Sequence, residues 1–225
     1  MIQIQNLVKS YGKIDVLKSI NMGFEMGKAY GIVGENGAGK TTLFRCFAGL
    51  ESFSGEIDSP FDILKNHVGL METNPYFLSR VTAKEHLQLI CNARDILVKD
   101  FEERNIFDLP LNQYADTYST GMKKKLALTA LLLQNNDVLI LDEPFNGVDI
   151  HSNMVILEMI KKWKNAGKTL FISSHIFSTL EETCHEIHLL KEGEFVQRVR
   201  KDQFRELDKQ MRDFMIGDRL KNMKI

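Results

Sequence analysis

The segment Gly34-Glu35-Asn36-Gly37-Ala38-Gly39-Lys40-Thr41 fits the pattern G-x-x-x-x-G-K-[S/T], and each position answers a demand of phosphate chemistry. Its glycines let successive backbone N–H groups turn inward and form a concave anion nest. The Lys40 ammonium reaches the outer phosphates of a nucleoside triphosphate, and the Thr41 hydroxyl supplies an oxygen for magnesium. A second reactive group stands in Val138-Leu139-Ile140-Leu141-Asp142-Glu143, an apolar run closed by two carboxylates. A buried strand that finishes with acids delivers them to the C-terminal edge of a sheet, where a phosphate loop also lies. There Asp142 would hold magnesium through water, and Glu143 would orient or deprotonate an attacking water. Alone, such a pair reads as a solvated acidic turn; beside the phosphate loop it reads as chemistry.

The elements that must position these residues are visible in the pattern. Ala29 to Val33 is a short apolar run fit for a buried strand, and Thr42 to Ala48 reads as a helix ending near Gly49. Strand, loop and helix in that order set bound phosphates at a helix N-terminus. Residues 1 to 35 otherwise read mostly as short strands with alternating apolar positions, punctuated by Tyr11-Gly12 and Gly23. Two more strands are expected at Gly55 to Ile57 and His67 to Met71. From Thr82 to about Leu109 the spacing is helical. Ser119-Thr120-Gly121-Met122 then precedes the basic run Lys123 to Lys125 and an apolar helix reaching Leu133.

Beyond that, strands and helices alternate: Val138 to Leu141, Met154 to Trp163, Thr169 to Ser173, Ile176 to Cys184, Ile187 to Leu190. This is an α/β pattern, a mostly parallel sheet flanked by helices on both faces. The expectation is a single domain over 1–225, with a core at 1–72 and 135–225 and an inserted α-helical subdomain at about 73–134. The last 25 residues read as one or two short amphipathic helices on the surface.

Composition narrows the setting. The chain has 225 residues, and its 29 basic and 30 acidic side chains nearly cancel, so no global field favours nucleic acid. The three cysteines are scattered and suit a reducing cytoplasm. Cys184-His185-x-x-His188 lacks the further ligands a zinc site needs. The N-terminal stretch alternates like a strand rather than a signal peptide, and no apolar run approaches the ~20 residues that span a bilayer. A membrane role therefore requires a partner. The basic run 123–125 reads as a solvated helix face. Pro75-Tyr76-Phe77-Leu78 reads equally as core or as a docking surface.

With these residues in hand, the sequence resembles the nucleotide-binding subunit of ABC transporters over almost its whole length, a P-loop NTPase core of the ABC type with an N-terminal antiparallel β region. The family's signature, usually LSGGQ ahead of a basic run, stands here as Tyr118-Ser119-Thr120-Gly121-Met122-Lys123-Lys124-Lys125. Asn146-Gly147-Val148-Asp149 resembles the D-loop, and Ser173-Ser174-His175 the switch histidine after a strand. Tyr11 falls where family members stack an aromatic ring on adenine.

The resemblance implies ATP contacts from Tyr11, Gly34, Asn36, Gly37, Ala38, Gly39, Lys40, Thr41 and Thr42. It implies magnesium at Thr41 and Asp142, catalysis by Glu143, His175 and Lys40, and a head-to-tail dimer. Ser119 and Gly121 would then touch the γ-phosphate from across the interface, with Asp149 at the seam.

Three positions depart from the family pattern. Thr73 stands where a glutamine is usual, and either Thr73 or the adjacent Glu72 would be the substitute oxygen ligand for magnesium. Thr120 replaces a glycine, and Met122 replaces the signature's glutamine. The implied function is an ATP-hydrolysing subunit working as a homo- or heterodimer on the cytoplasmic face of separate transmembrane subunits. The compact helical segment and the absence of a C-terminal regulatory domain resemble export-type systems. Two rivals stand beside it: a soluble ABC ATPase outside transport, and a nucleotide-binding regulatory module with weak hydrolysis.

Overall fold

The computed structural model describes residues 1–209. Its N-terminal strands β1 (Ile2–Tyr11) and β2 (Ile14–Phe24) form a hairpin, and β4 (Ser54–Asp58) joins the free edge of β1, all antiparallel. These strands are longer than the short ones expected, because register shifts let one strand continue through irregular points. The ladder slips between Ile4 and Leu7, where Asn6 takes a positive φ, and again between Leu7 and Lys9, where Ser19 does. The first slip keeps Ile2, Ile4 and Leu7 all buried, which strict alternation would not allow.

The second sheet has the order β5-β6-β7-β3-β8-β9, built from β5 (Val68–Met71), β6 (Val138–Asp142), β7 (Thr169–Ser173), β3 (Ala29–Val33), β8 (Glu186–Lys191) and β9 (Glu194–Arg200). The first five run parallel and β9 pairs antiparallel at the edge. Every residue of β3, β6 and β7 is buried, as strands covered on both faces must be. Successive residues divide between two cores. Tyr30, Ile32, Val138, Ile140 and Phe171 face α1 (Lys40–Phe47) and the antiparallel sheet. Leu139, Leu141, Leu170, Ile172 and Ile187 face α3 (Thr120–Gln134), α4 (Ile150–Asn165) and α5 (Phe177–Thr183). One face is thus covered by a helix and a sheet together, where helices alone were expected.

Between β5 and β6 come α2 (Ala83–Asn92) and α3. The Thr82 side chain accepts from the Glu85 N–H while the Glu85 carboxylate accepts from the Thr82 N–H, which fixes the start of α2. The helical spacing read as far as Leu109 is a correction: α2 stops at Asn92. Asp95 takes a positive φ, and the Asn105 side chain bonds both the N–H and the carbonyl of Leu109. Phe101, Phe107 and Leu109 are buried all the same, so apolar spacing there reports burial and not helix. Strand β9 was not anticipated. In the C-terminal segment, Phe204 and Leu207 pack into the core rather than lying on a solvated face, and the remainder of the expected tail helices lies outside the described residues.

Beneath the phosphate loop the aromatic rings interlock. Phe24 meets Tyr30 and Phe171 edge-on with centroids 4.9 Å apart, and Phe47 stacks on Phe171 at 5.0 Å. The cluster joins β2, β3, α1 and β7, the elements that hold the loop. Phe171→Ala should lower unfolding stability by about 3–5 kcal/mol. Urea denaturation reads this, and a loss below about 1 kcal/mol would show that the cluster is not what fixes β7 against α1.

Candidate functional site

The loop from Gly34 to Gly39 leaves the end of β3 and turns into α1. Gly39 caps the helix at φ 107°, a left-handed conformation that a side chain at this position would strain. Asn36 and Gly37 lie exposed at the tip, Thr41 is exposed, Thr42 is half-buried in the first turn of α1, and Lys40 and Ala38 are buried. The Lys40 Nζ donates to the carbonyls of Gly34 at 2.7 Å and Glu35 at 3.1 Å. Burial pushes the Lys40 pKa down, while Glu143 and Asp142 pull it back up. A cation with carbonyl partners inside an anion nest is the arrangement that phosphate oxygens would take over.

The structure brings the two sequence motifs together. Thr41 Oγ1 donates to Asp142 Oδ2 at 2.6 Å, tying the first turn of α1 to the end of β6. Ser173, opposite Asp142 in the parallel register, donates its hydroxyl to Asp142 Oδ1 at 2.5 Å and accepts from the Glu143 N–H at 2.9 Å. Glu143 takes a φ of 53° and is buried. One of its carboxylate oxygens lies 3.2 Å from His175 Nε2, and the other accepts from the His175 backbone N–H at 3.3 Å. Lys40, Thr41, Asp142, Glu143 and His175 therefore form one continuous site. The oxygens of Thr41 and Asp142 suit a hard cation that keeps most of its waters, so the donor set fits magnesium.

Other expected residues sit elsewhere. Ser119 caps α3 and accepts from the Met122 N–H. A Cβ on Gly121 would come within 2.8 Å of the Gly147 carbonyl, so the first turn of α3 lies against the loop after Glu143. Asp149 caps α4 by accepting from the Ser152 N–H and hydroxyl, which with Lys125 holds its carboxyl well below the usual range. Tyr11 is half exposed at the hairpin tip, with Lys9 Nζ 4.8 Å above its ring. Glu72 receives Arg45 at 2.9 Å, while Thr73 beside it is half-buried.

The basic run departs from expectation. Lys124 is buried and donates to the Glu143 carbonyl, and Lys125 reaches Asp149 and Ser152. These lysines brace the interior instead of lining a solvated face. The 75–78 loop is divided: Phe77 is buried against His86, while Tyr76 and Leu78 are exposed. Tyr76 helps line a groove of about 300 Å³ with Leu50, Leu70, Glu72, Ile90 and Arg94. At the Cys184 motif, burial pushes the thiol to about 12, and His185 Nδ1 accepts from the Ala29 N–H.

Two supporting residues escaped sequence reasoning. Ser173 was read only as the end of a strand before the histidine. Gly193 donates its N–H to the Ala38 carbonyl, so the β8–β9 turn clips the phosphate loop. The Glu192-Gly193 pair between two apolar runs was the available hairpin signal.

Comparison with known proteins bears on the family and the fold. The family model described as ABC transporter matches residues 17–146. The bacitracin transport ATP-binding protein BcrA of Enterococcus faecalis is 31% identical over 97% of this chain and 75% of its own length. The SkfA peptide export ATP-binding protein SkfE of Bacillus subtilis is 31% identical over 92% of each. A solved ATP-binding subunit of an ABC transporter aligns with a TM-score of 0.82 at 24% identity over 93% of both chains. A dimeric ATP-binding cassette in a post-hydrolysis state, bound to ADP and Pi, aligns at 0.80 with 20% identity, over 89% of this chain and 99% of that one. The fold is that of ATP-binding cassettes.

Ser173→Ala would orphan the buried Glu143 N–H and strip one partner from Asp142. We expect a stability loss of about 1–3 kcal/mol. Urea unfolding at neutral pH measures it, and an unchanged midpoint would mean that the hydroxyl is not what holds the two acids.

Proposed function

This chain belongs to the ABC transporter family, and from that premise we propose that it is the ATP-hydrolysing subunit of an exporter. The observation that carries the proposal is the unbroken run of contacts from Thr41 through Asp142 and Ser173 to Glu143 and His175. The relatives named for bacitracin transport and peptide export support an export role, and neither a soluble non-transport ATPase nor a regulatory module finds support among them. We read the chain as a single nucleotide-binding domain whose core, 1–72 and 135–225, carries the helical segment 73–134.

ATP lies with its phosphates in the 34–41 loop and its adenine against Tyr11. The Lys40 ammonium shifts from the loop carbonyls to the β- and γ-phosphate oxygens. Thr41 and Asp142 would hold magnesium, which would supply charge neutralisation to the phosphates. Glu143 takes a proton from the attacking water. The water oxygen bonds to the γ-phosphorus as the bond to the bridging oxygen breaks, leaving ADP and phosphate. His175, already at Glu143, holds the carboxylate and donates to the γ-phosphate. Catalysis is mainly positioning and electrostatics.

Each subunit completes its neighbour's site. Ser119 and Gly121, at the N-terminus of α3, meet the γ-phosphate bound by the other subunit, and Asp149 lies at the seam. Closure on ATP and release on hydrolysis then drive separate membrane subunits, because ATP favours the closed state. Those subunits dock over the groove beside Tyr76 and Glu72 and place the chain on the inner face of the membrane. Among the described residues no helix is long and apolar enough to cross a membrane.

Glu143→Gln should cut turnover by about 10²–10⁴-fold while ATP still binds and a stable ATP-bound dimer accumulates. Phosphate release and size-exclusion chromatography read both effects, and wild-type turnover would refute the assignment. Thr73→Gln restores the side chain usual at that position and should raise basal or partner-stimulated turnover a few-fold. If both rates stay unchanged, the departure at Thr73 has no catalytic meaning.

A further inference from the structure

Lys124 is a buried charge beside the site that the scheme above does not use. It is 1% exposed, and its Nζ donates to the Glu143 carbonyl at 2.5 Å. Its hydrogen-bond partner is a main-chain carbonyl, not a carboxylate. Burying an amine for such a partner is costly, so the residue needs a reason beyond packing.

The carbonyl it holds belongs to the residue with the demanding backbone. Glu143 sits at a φ of 53°, a region that non-glycine residues enter only when their surroundings impose it. That turn aims the carboxylate at His175. The Glu143 N–H is fixed from the sheet side by Ser173, and its carbonyl from the helix side by Lys124. The same helix abuts Gly147 through Gly121 and reaches Asp149 through Lys125. The loop from Glu143 to Asp149 is thus held against α3 at its start, middle and end.

We propose that Lys124 is a positioning residue for Glu143, transmitting the placement of α3 to the carboxylate that activates water. The inference rests on the reading of Glu143 as the general base and of the N-terminus of α3 as the part that meets the neighbouring subunit's nucleotide. On that reading, engagement of α3 at one ATP sets the base at the other, through a single buried ammonium.

Lys124→Met keeps most of the side chain's volume but removes the donor, and Lys124→Gln, of the same length as Met, keeps a donor withdrawn by about one bond. In the purified full chain we expect kcat in the order Lys > Gln > Met, with Met down about tenfold or more and Gln between. ATP affinity, measured for each variant in the Glu143→Gln background to prevent turnover, should stay within about twofold of the background. A merely structural lysine would lower affinity, melting temperature and kcat together, and that pattern overturns the proposal. Wild-type kcat in either variant also overturns it, and should Lys124→Met not fold, Lys124→Gln decides alone. Glu143→Gln serves as the control: if it retains turnover, the reading of Glu143 fails, whereas full loss there with an unaffected Lys124 variant sinks this inference alone.

Discussion

The site depends on where β6 ends. Asp142 is an almost fully buried carboxylate, and such a charge survives in a protein interior only with strong hydrogen-bond donors. Its two oxygens take hydroxyls from opposite sides, Thr41 from the phosphate helix and Ser173 from the neighbouring strand. Each contact is short and charge-assisted, and each ties a different element to the strand end. The parallel register that sets Asp142 opposite Ser173 is therefore a functional constraint as well as a packing one. A slip of one residue would turn Asp142 to the other face and leave both hydroxyls without their acceptor.

From this anchor the chain builds outward. The phosphate loop is clamped by the aromatic cluster below and by Gly193 from the β8–β9 turn. Glu143 is fixed by main-chain contacts on both sides. Tyr11 lies at the far margin, half exposed on a hairpin tip, and is linked inward through charged pairs. Lys9 beside it bonds Glu51, Arg45 bonds Glu51 in turn, and Arg45 also holds Glu72. These partly exposed pairs contribute little stability each, but they fix where long side chains point between the hairpin and the loop after β5.

What could be read in the sequence was whatever has a fixed local pattern. The 34–41 loop, the acid pair and the apolar runs of β3, β6 and β7 carry their chemistry or their burial in consecutive residues, and the fold class followed from their order. Segments whose structure is set by tertiary contacts were not legible in the same way. Residues 93–109 have helical apolar spacing, yet Asp95 and the Asn105 loop break the helix while the same side chains remain buried. Lys124 and Lys125 look like any solvated basic run, because nothing in their neighbourhood announces that acceptors from residues 143 to 152 will fold over them. Ser173 was visible as a strand residue, but its role needs the register, and the register is a long-range fact.

That contrast bears on how the site can respond to a nucleotide. The locally encoded parts sit on a sheet buried on both faces, where displacement would break close packing. The parts set by tertiary contacts, the first turns of α3 and the loop from Glu143 to Asp149, meet each other through a few hydrogen bonds and one close backbone approach at Gly121, while the middle of α3 packs its leucines into the core. A displacement of the N-terminus of α3 would act first at that junction, where the carbonyl of Glu143 and the side chain of Asp149 are held. On the proposed function, phosphate binding lies on the sheet side and water activation at the joint. An enzyme arranged this way can keep its nucleotide firmly bound while the reactive carboxylate waits on the placement of another element.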